Sequence, residues 1–259
     1  MENKSISFIG GGRTTKIFLT ALKTKKIGFK QVSVMDTNPD VLKALSTTFP
    51  EIKTDINLNN NILGADLIFL AVHPPMIAET LEKAKATINP NAILISLAPK
   101  FTIEKMTALL GGFNRIVRLL PLASSIIGKG YNPVVFYKSI DKDSKDILTD
   151  IFNIFGHTLE VDEPKIEAYA LIVAMGPTYL WFQYYKLIEL AKNFGMDEKE
   201  AIDAVGNMLK ATNETMFNSG LDKAAVIDLI PVKPIGENEA EILKIYDEKL
   251  NGLFQKIKP

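Results

Sequence analysis

Apolar and polar positions in the first half of the chain switch repeatedly between a strand period and a helix period. Residues 5–10 (SISFIG) form a short apolar run closed by glycines, and residues 16–22 then set Ile17, Phe18, Ala21 and Leu22 at helical spacing. Residues 32–35 are the next β-branched run. Residues 39–45 (PDVLKAL) predict a helix with Pro39 in its first turn and Asn38 as its cap. A weaker strand is expected over residues 51–54. Residues 66–72 (DLIFLAV) make a continuous apolar strand stopped by His73-Pro74-Pro75, followed by a helix over 76–85 and a second buried strand over 92–97 (AILISL). Residues 102–110 read as a helix opened by Thr102, with Lys105 where a complete capping box carries an acid. Runs at 116–120 and 133–137 close the series. Continuous apolar strands separated by helices of about ten residues predict a parallel sheet covered on both faces, a doubly wound α/β domain.

Beyond residue 141 the pattern changes. Residues 142–155 form an amphipathic helix and 157–161 a last short strand. From Pro164 onward every segment has the helical period: 165–175, 177–194, 197–218, 222–229 and 238–257, with Gly195 ending one helix and Asp197 opening the next. Two domains are expected, 1–162 and 163–259, the second all-α.

Composition narrows the chemistry. With 47% hydrophobic and 23% charged residues the chain is globular rather than disordered. Basic and acidic residues number 30 each, and no basic block is interleaved with aromatics, so nucleic acid is not an expected partner. The chain has no cysteine, which removes disulfides, thiolate catalysis, iron–sulfur clusters and cysteine zinc sites. Its two histidines, His73 and His157, are far apart in sequence, so no metal site is expected. The N-terminus runs straight into an apolar strand pattern without the sections of a signal peptide. The uncharged run 168–185 is broken by Gly176-Pro177, which predicts two buried or interfacial helices rather than a membrane span. A cytoplasmic protein without membrane partners is expected.

One turn carries a specific signal. Gly10-Gly11-Gly12-Arg13-Thr14-Thr15 follows the first strand and opens the first helix. In a dinucleotide-binding turn the first glycine makes the bend, the second lets the backbone approach the pyrophosphate, and the helix N-terminus holds the anion. The third position wants glycine or alanine, and here it is Thr15. About twenty residues on, at the end of the second strand, Asp36 stands where a ribose-contacting acid is expected. Asp36 argues for NAD. Arg13, Thr37 and Asn38 can instead surround the 2′-phosphate of NADP if Asp36 turns away, although Arg13 also reads as an ordinary solvated helix-start residue. The cofactor is thus NADP or NAD.

The order of segments resembles the pyrroline-5-carboxylate reductase family along almost the whole chain. The matching pieces are FIGGGRTTKIFLTAL, VMDTNPDVLKAL, ADLIFLAVHPPMIAETLE, LISLAPKFTIEKMTALLGG, RLLPLASSIIGKGYNPVVF and VAMGPTYLWFQYYKLIELAKNFGMDEKEAI. The resemblance implies a Rossmann-type doubly wound sheet followed by an all-α C-terminal dimerisation domain. It also implies hydride transfer from a reduced nicotinamide to a cyclic imine, forming proline, in an active site that uses both subunits of a homodimer or larger homo-oligomer. Val72, His73, Pro74 and Ala98 join Gly10, Gly12, Arg13, Thr14, Thr15, Asp36, Thr37 and Asn38 as expected cofactor contacts. Pro121, Gly176, Pro177 and Tyr179 are expected at the substrate.

The departures fall at the substrate end. Leu120-Pro121-Leu122-Ala123 replaces the family's Met-Pro-Asn-Thr, and Ala98-Pro99-Lys100 replaces Ala-Ala-Gly. Ala71-Val72-His73-Pro74 stands for Ala-Val-Lys-Pro. The family's Ser-Pro-Gly-Gly-Thr-Thr loop has no counterpart in the stretch from Ile230 to Glu237. An already protonated iminium needs no dedicated acid, so no catalytic residue is assigned; His73 is a candidate proton donor and His157 reads as structural. Tyr179, Trp181 and Phe182 fit a core or dimer contact as well as a site. Two alternatives stay open: a reductase of the same fold acting on another imine or carbonyl, and a dinucleotide-binding sensor without turnover.

Overall fold

β1 (Ser5–Ile9) is an interior strand of the first unit, and its alternating side chains feed two separate cores. Phe8 points to one face of the sheet and Ile9 to the other, as the two-residue repeat of a strand requires. The computed structural model describes residues 1–258. Within them β2 (Gln31–Met35), β3 (Lys53–Asp55), β4 (Leu67–Leu70), β5 (Ile93–Ser96), β6 (Ile116–Leu119), β7 (Gly130–Phe136) and β8 (Gly156–Glu160) join β1 in an eight-stranded sheet of order β3-β2-β1-β4-β5-β6-β7-β8.

The helices α1 (Arg13–Lys25), α2 (Pro39–Thr48), α3 (Asn60–Leu63), α4 (Pro74–Ala84), α5 (Ile103–Leu109) and α6 (Lys142–Asn153) cover the sheet, giving the doubly wound arrangement that the pattern predicts. Asn38 caps α2 as expected, accepting from the Asp40 N–H at 2.9 Å, and Thr102 caps α5 by accepting from the Lys105 N–H at 3.2 Å.

One strand departs from the all-parallel expectation. β7 pairs with β6 antiparallel, Arg118 opposite Val135, whereas every other neighbour is parallel. The physical reason is the connection. Between Leu119 and Gly130 there is room only for a 3-10 turn, Ala123–Ile127, and not for the helical crossover a parallel partner needs.

On one face Phe8 stacks on Phe69 with ring centroids 4.8 Å apart, and Phe18 meets the edge of Phe155 at 4.3 Å. Each such fully buried side chain contributes about 1.5–3 kcal/mol. On the other face Ile9, Ile68, Leu70 and Leu94 pack with Ile77 and Met106 from α4 and α5.

The first compact unit runs past the expected boundary at 162. It comprises residues 1–175 together with 254–258. α7 (Ile166–Tyr169) and the π-helical turn Ala170–Ala174 belong to it, because Ile166, Glu167, Ala170 and Leu171 are buried. The second unit, residues 176–253, is helical: α8 (Pro177–Asn193), α9 (Glu198–Asn218), α10 (Lys223–Asp228) and most of α11 (Glu239–Ile257). α9 opens with a full capping box, the Asp197 N–H donating to Glu200 and the Glu200 N–H donating back to Asp197, both at 2.9 Å. No helix among the described residues is long and apolar enough to cross a membrane.

Candidate functional site

The carboxyl ends of β1, β2, β3 and β4 converge where the strand order reverses, and a cavity of about 540 Å³ opens there. Ligands bind at such switch points because the loops above the strands diverge on either side. Of the residues expected from sequence, Gly10, Gly12, Asp36, Thr37, Val72 and His73 line this cavity together.

Each glycine of the turn has its own physical requirement. Gly10 has φ +105°, and a Cβ there would stand 2.7 Å from the Ala71 carbonyl oxygen; only glycine suits both conditions. A Cβ on Gly11 would press on Val41 and Leu45 of α2. Gly12 is different: a Cβ there would meet nothing within 4 Å, so the space it leaves opens outward rather than into protein.

Gly12 is the N-cap of α1, whose first turn has no side-chain cap and no acidic residue. Free amide groups, the positive end of a thirteen-residue helix and an open cradle fit a diphosphate. The residues present therefore fit a dinucleotide, with Gly10, Gly12 and the first turn of α1 at its phosphates and Asp36 and Thr37 beyond them.

Asp36 is pinned rather than mobile. One carboxylate oxygen accepts from the Gly11 N–H at 2.8 Å and the other from the Asn38 N–H at 2.9 Å. The acid thus ties the glycine turn to the start of α2, and turning it away from the cavity would break both bonds.

The remaining expected contacts occupy supporting positions. Thr15 is fully buried and its hydroxyl donates to the Gly10 carbonyl at 2.5 Å. It braces the turn from within and is not part of the cavity lining. Arg13 and Thr14 are the first two residues of α1, Arg13 exposed and Thr14 half-buried. Asn38 spends its side chain on the cap of α2, Pro74 opens α4, and Ala98 is buried just beyond β5. His73 is the N-cap of α4 and is exposed at the cavity wall. His157 lies in β8 with its ring 5.4 Å from that of Tyr131, away from the cavity.

Sequence reasoning missed two parts of the wall. Met76, Thr80 and Lys83 form one stripe of α4 at helical spacing, and Ile56 and Leu58 follow the carboxyl end of β3. The first could have been found from the period of α4 and the second from the rule that strand ends carry ligands.

The expected substrate residues fall in both units. Pro121 is half-buried just past the carboxyl end of β6. In the second unit Gly176 is the N-cap of α8 and Pro177 its first residue, a position that tolerates the missing N–H. Tyr179 stands edge-on to Tyr246, centroids 6.1 Å apart; burial first, and then the neighbouring Tyr246, push its hydroxyl above the usual tyrosine range.

A charged cluster that sequence reading passed over sits beneath the loop after β5. Arg118, in β6, is completely buried; its guanidinium reaches Glu163 at 3.0 Å and Glu167 at 2.5 Å. The same carboxylates accept from the backbone of the next loop, Glu163 from the Ile103 N–H at 2.8 Å and Glu167 from the Lys100 N–H at 3.2 Å. The signal was a lone arginine inside the apolar run IVRLL, where a buried charge demands partners.

The chain is similar to several known proteins. Residues 5–100 match the family model described as NADP oxidoreductase, coenzyme F420-dependent. Pyrroline-5-carboxylate reductase of Haemophilus influenzae is 24% identical over 249 residues, covering 95% of this chain and 90% of that protein. The Escherichia coli K12 enzyme of the same name is 24% identical, covering 95% and 91%. Among solved structures, Plasmodium falciparum pyrroline carboxylate reductase with NADP bound superposes with a TM-score of 0.77 at 20% identity, covering 99% of this chain and 95% of that one. The Coxiella burnetii pyrroline-5-carboxylate reductase gives 0.71 at 24% identity, covering 98% and 94%. Glycine turn, sheet order, helical second unit and a similarity that runs nearly end to end converge on one conclusion: the chain has the fold of the pyrroline-5-carboxylate reductases and resembles them along almost its whole length.

Proposed function

We propose that the protein is an NAD(P)H-dependent reductase that delivers hydride to a small cyclic imine, 1-pyrroline-5-carboxylate in the first instance, yielding proline. The observation that carries this reading is the open glycine cradle at the N-terminus of α1, joined in one cavity to Asp36 and to the loop after β4. A reduced nicotinamide cofactor, when bound, supplies the hydride. The chain's own work is placement. The first turn of α1 holds the diphosphate, Asp36 fixes the ribose side, and the loops after β4, β5 and β6 form the floor on which the imine lies beside the cofactor. An iminium arrives already protonated, so turnover needs no dedicated acid–base pair. His73, exposed at the cavity wall, is a possible source of a proton for an unprotonated imine.

The same reading includes a homodimer made through the second unit. Its support is the surface of that unit. α8 leaves Trp181 48%, Phe182 67% and Tyr185 73% exposed, and Ile242 and Leu243 of α11 are also exposed. Helices with so much bare apolar surface are stable in water when another surface covers them. A cytoplasmic enzyme fits the need for a pool of reduced nicotinamide.

The test is oxidation of NADH and NADPH by the full-length chain, first with 1-pyrroline-5-carboxylate and then with other cyclic imines and 2-oxo acids. Turnover with the first substrate is expected. Turnover only with another compound would replace the substrate and keep the chemistry. Micromolar dinucleotide binding with no turnover on any compound would leave a sensor in place of an enzyme.

A further inference from the structure

We propose that Lys100 is the residue that receives the carboxylate of the substrate, and this rests on the reductase reading above. Two lysines in the chain have positive φ, Lys26 at 55° and Lys100 at 78°. Lys26 has an ordinary cause: it is the left-handed C-cap of α1, with its N–H bonded to the carbonyls of Leu22 and Lys23. Lys100 ends no helix. It stands in the open loop between β5 and α5, in a conformation that residues with a Cβ avoid and that glycine adopts freely.

What holds it there is the buried ionic cluster. The Glu167 carboxylate takes the Lys100 N–H at 3.2 Å, and Glu167 is itself fixed by Arg118 at 2.5 Å. Glu163, held by the same guanidinium, takes the Ile103 N–H and so anchors the far end of the loop. A fully buried guanidinium paired with a buried and a half-buried carboxylate is a demanding arrangement, since desolvation of the Arg118 and Glu167 charges opposes it. Here its hydrogen bonds finish on the backbone of the loop between β5 and α5 and at the first residue of α5, and keep a lysine in a strained position.

The place of that loop gives the strain a purpose. β5 lies between β4 and β6, so the loop after β5 is flanked by the Ala71–His73 loop, which lines the cavity, and by the loop bearing Pro121. This is the carboxyl edge of the sheet on the side of the switch point away from Asp36. The Lys100 side chain is exposed, and its ammonium has no hydrogen-bond or ion-pair partner among the described residues. An ammonium offers three rotatable donors and a compact charge, which suits a small monovalent carboxylate. The net charge of zero leaves no general field to attract an anionic substrate, so the attraction must be local.

The experiment compares the full-length wild type with Lys100→Met, Lys100→Gly and Lys100→Arg. Initial rates are measured with 1-pyrroline-5-carboxylate and with 1-pyrroline, the same ring without the carboxylate, and calorimetry gives the affinity for proline in the presence of oxidised cofactor. The methionine and glycine variants are expected to raise KM for the carboxylate substrate about tenfold more than for 1-pyrroline, and to weaken proline by about the same factor. Dissociation constants for NADH and NADPH should move less than about twofold, and Lys100→Arg should restore part of the difference. Because glycine suits the backbone, a loss in Lys100→Gly reports the missing ammonium and not a distorted loop. Equal losses on both substrates, or unchanged KM and proline affinity, would overturn the assignment. A wild type that binds dinucleotide but turns over neither ring removes the reductase reading; proline binding that still depends on Lys100 would then keep the carboxylate site, and its absence would remove that too.

Discussion

Gly10 and Gly12 sit two positions apart and have opposite reasons to be glycine, so their substitutions separate folding from binding. Gly10→Ala forces a Cβ into a φ of +105° and to 2.7 Å from a backbone oxygen, and it should destabilise the protein by about 1–3 kcal/mol in urea denaturation. Gly12→Val meets no protein atom within 4 Å and has an ordinary φ of −72°, so it should cost the fold only about 1 kcal/mol, the weakness of valine as an N-cap. It should nevertheless raise Kd for NADH and NADPH about tenfold or more, because the side chain fills the cradle. Retained affinity in fluorescence titration would refute the phosphate assignment. The glycines and Asp36 were legible in sequence because their roles follow from position in a strand–turn–helix–strand unit. Arg118 was not, since its partners Glu163 and Glu167 come from a distant segment and only folding brings them together.

At the scale of elements, β1 and β4 are locked at their amino ends by a reciprocal pair. Asp66 accepts from both the N–H and the hydroxyl of Ser5 at 2.7 Å, and its own N–H donates back to that hydroxyl at 3.0 Å. Burial would raise the Asp66 pKa, but the Ser5 hydrogen bonds together with Lys4 and Lys30 outweigh it and hold it below the ordinary aspartate value of 3.8. A folded-state pKa below the unfolded one means a contribution that is complete above pH 3.8 and disappears as pH falls through the lower folded value. Asp66→Asn should therefore be less stable than wild type at neutral pH, with the gap in urea midpoint closing under acid conditions. A gap independent of pH would show that the charge is irrelevant. Strands and helices were predictable here because burial on both faces leaves continuous apolar runs. Their direction was not: β7 reads like its neighbours, and only the shortness of its connection to β6 makes it antiparallel. The boundary moved from 162 to 175 for a similar reason, because a helix buried in the first unit and a helix of the second have the same apolar period.

At the scale of the molecule, the first unit holds both cores and the dinucleotide cavity, while the second carries bare apolar helices. A chain ending at Met175 should then be a monomer in sedimentation with native-like α/β circular dichroism and measurable dinucleotide binding, whereas the full chain should sediment as a dimer or larger. A truncated chain that still dimerises would move the interface to the first unit.

The chain does not simply leave one unit for the other. It passes into the second unit after residue 175 and returns at residue 254, and the partly buried Ile257 packs against the core to which α4 and α5 contribute. The second unit is therefore an insertion closed at both ends and not a tail. Exchange of that unit between copies, as in a domain-swapped pair, would have to detach the segment from residue 254 onward as well as reopen the first crossing. A protease cut at one crossing would leave the two pieces joined through the other. The topology thus protects the second unit, where the proposed dimer contact lies, from being lost by a single break.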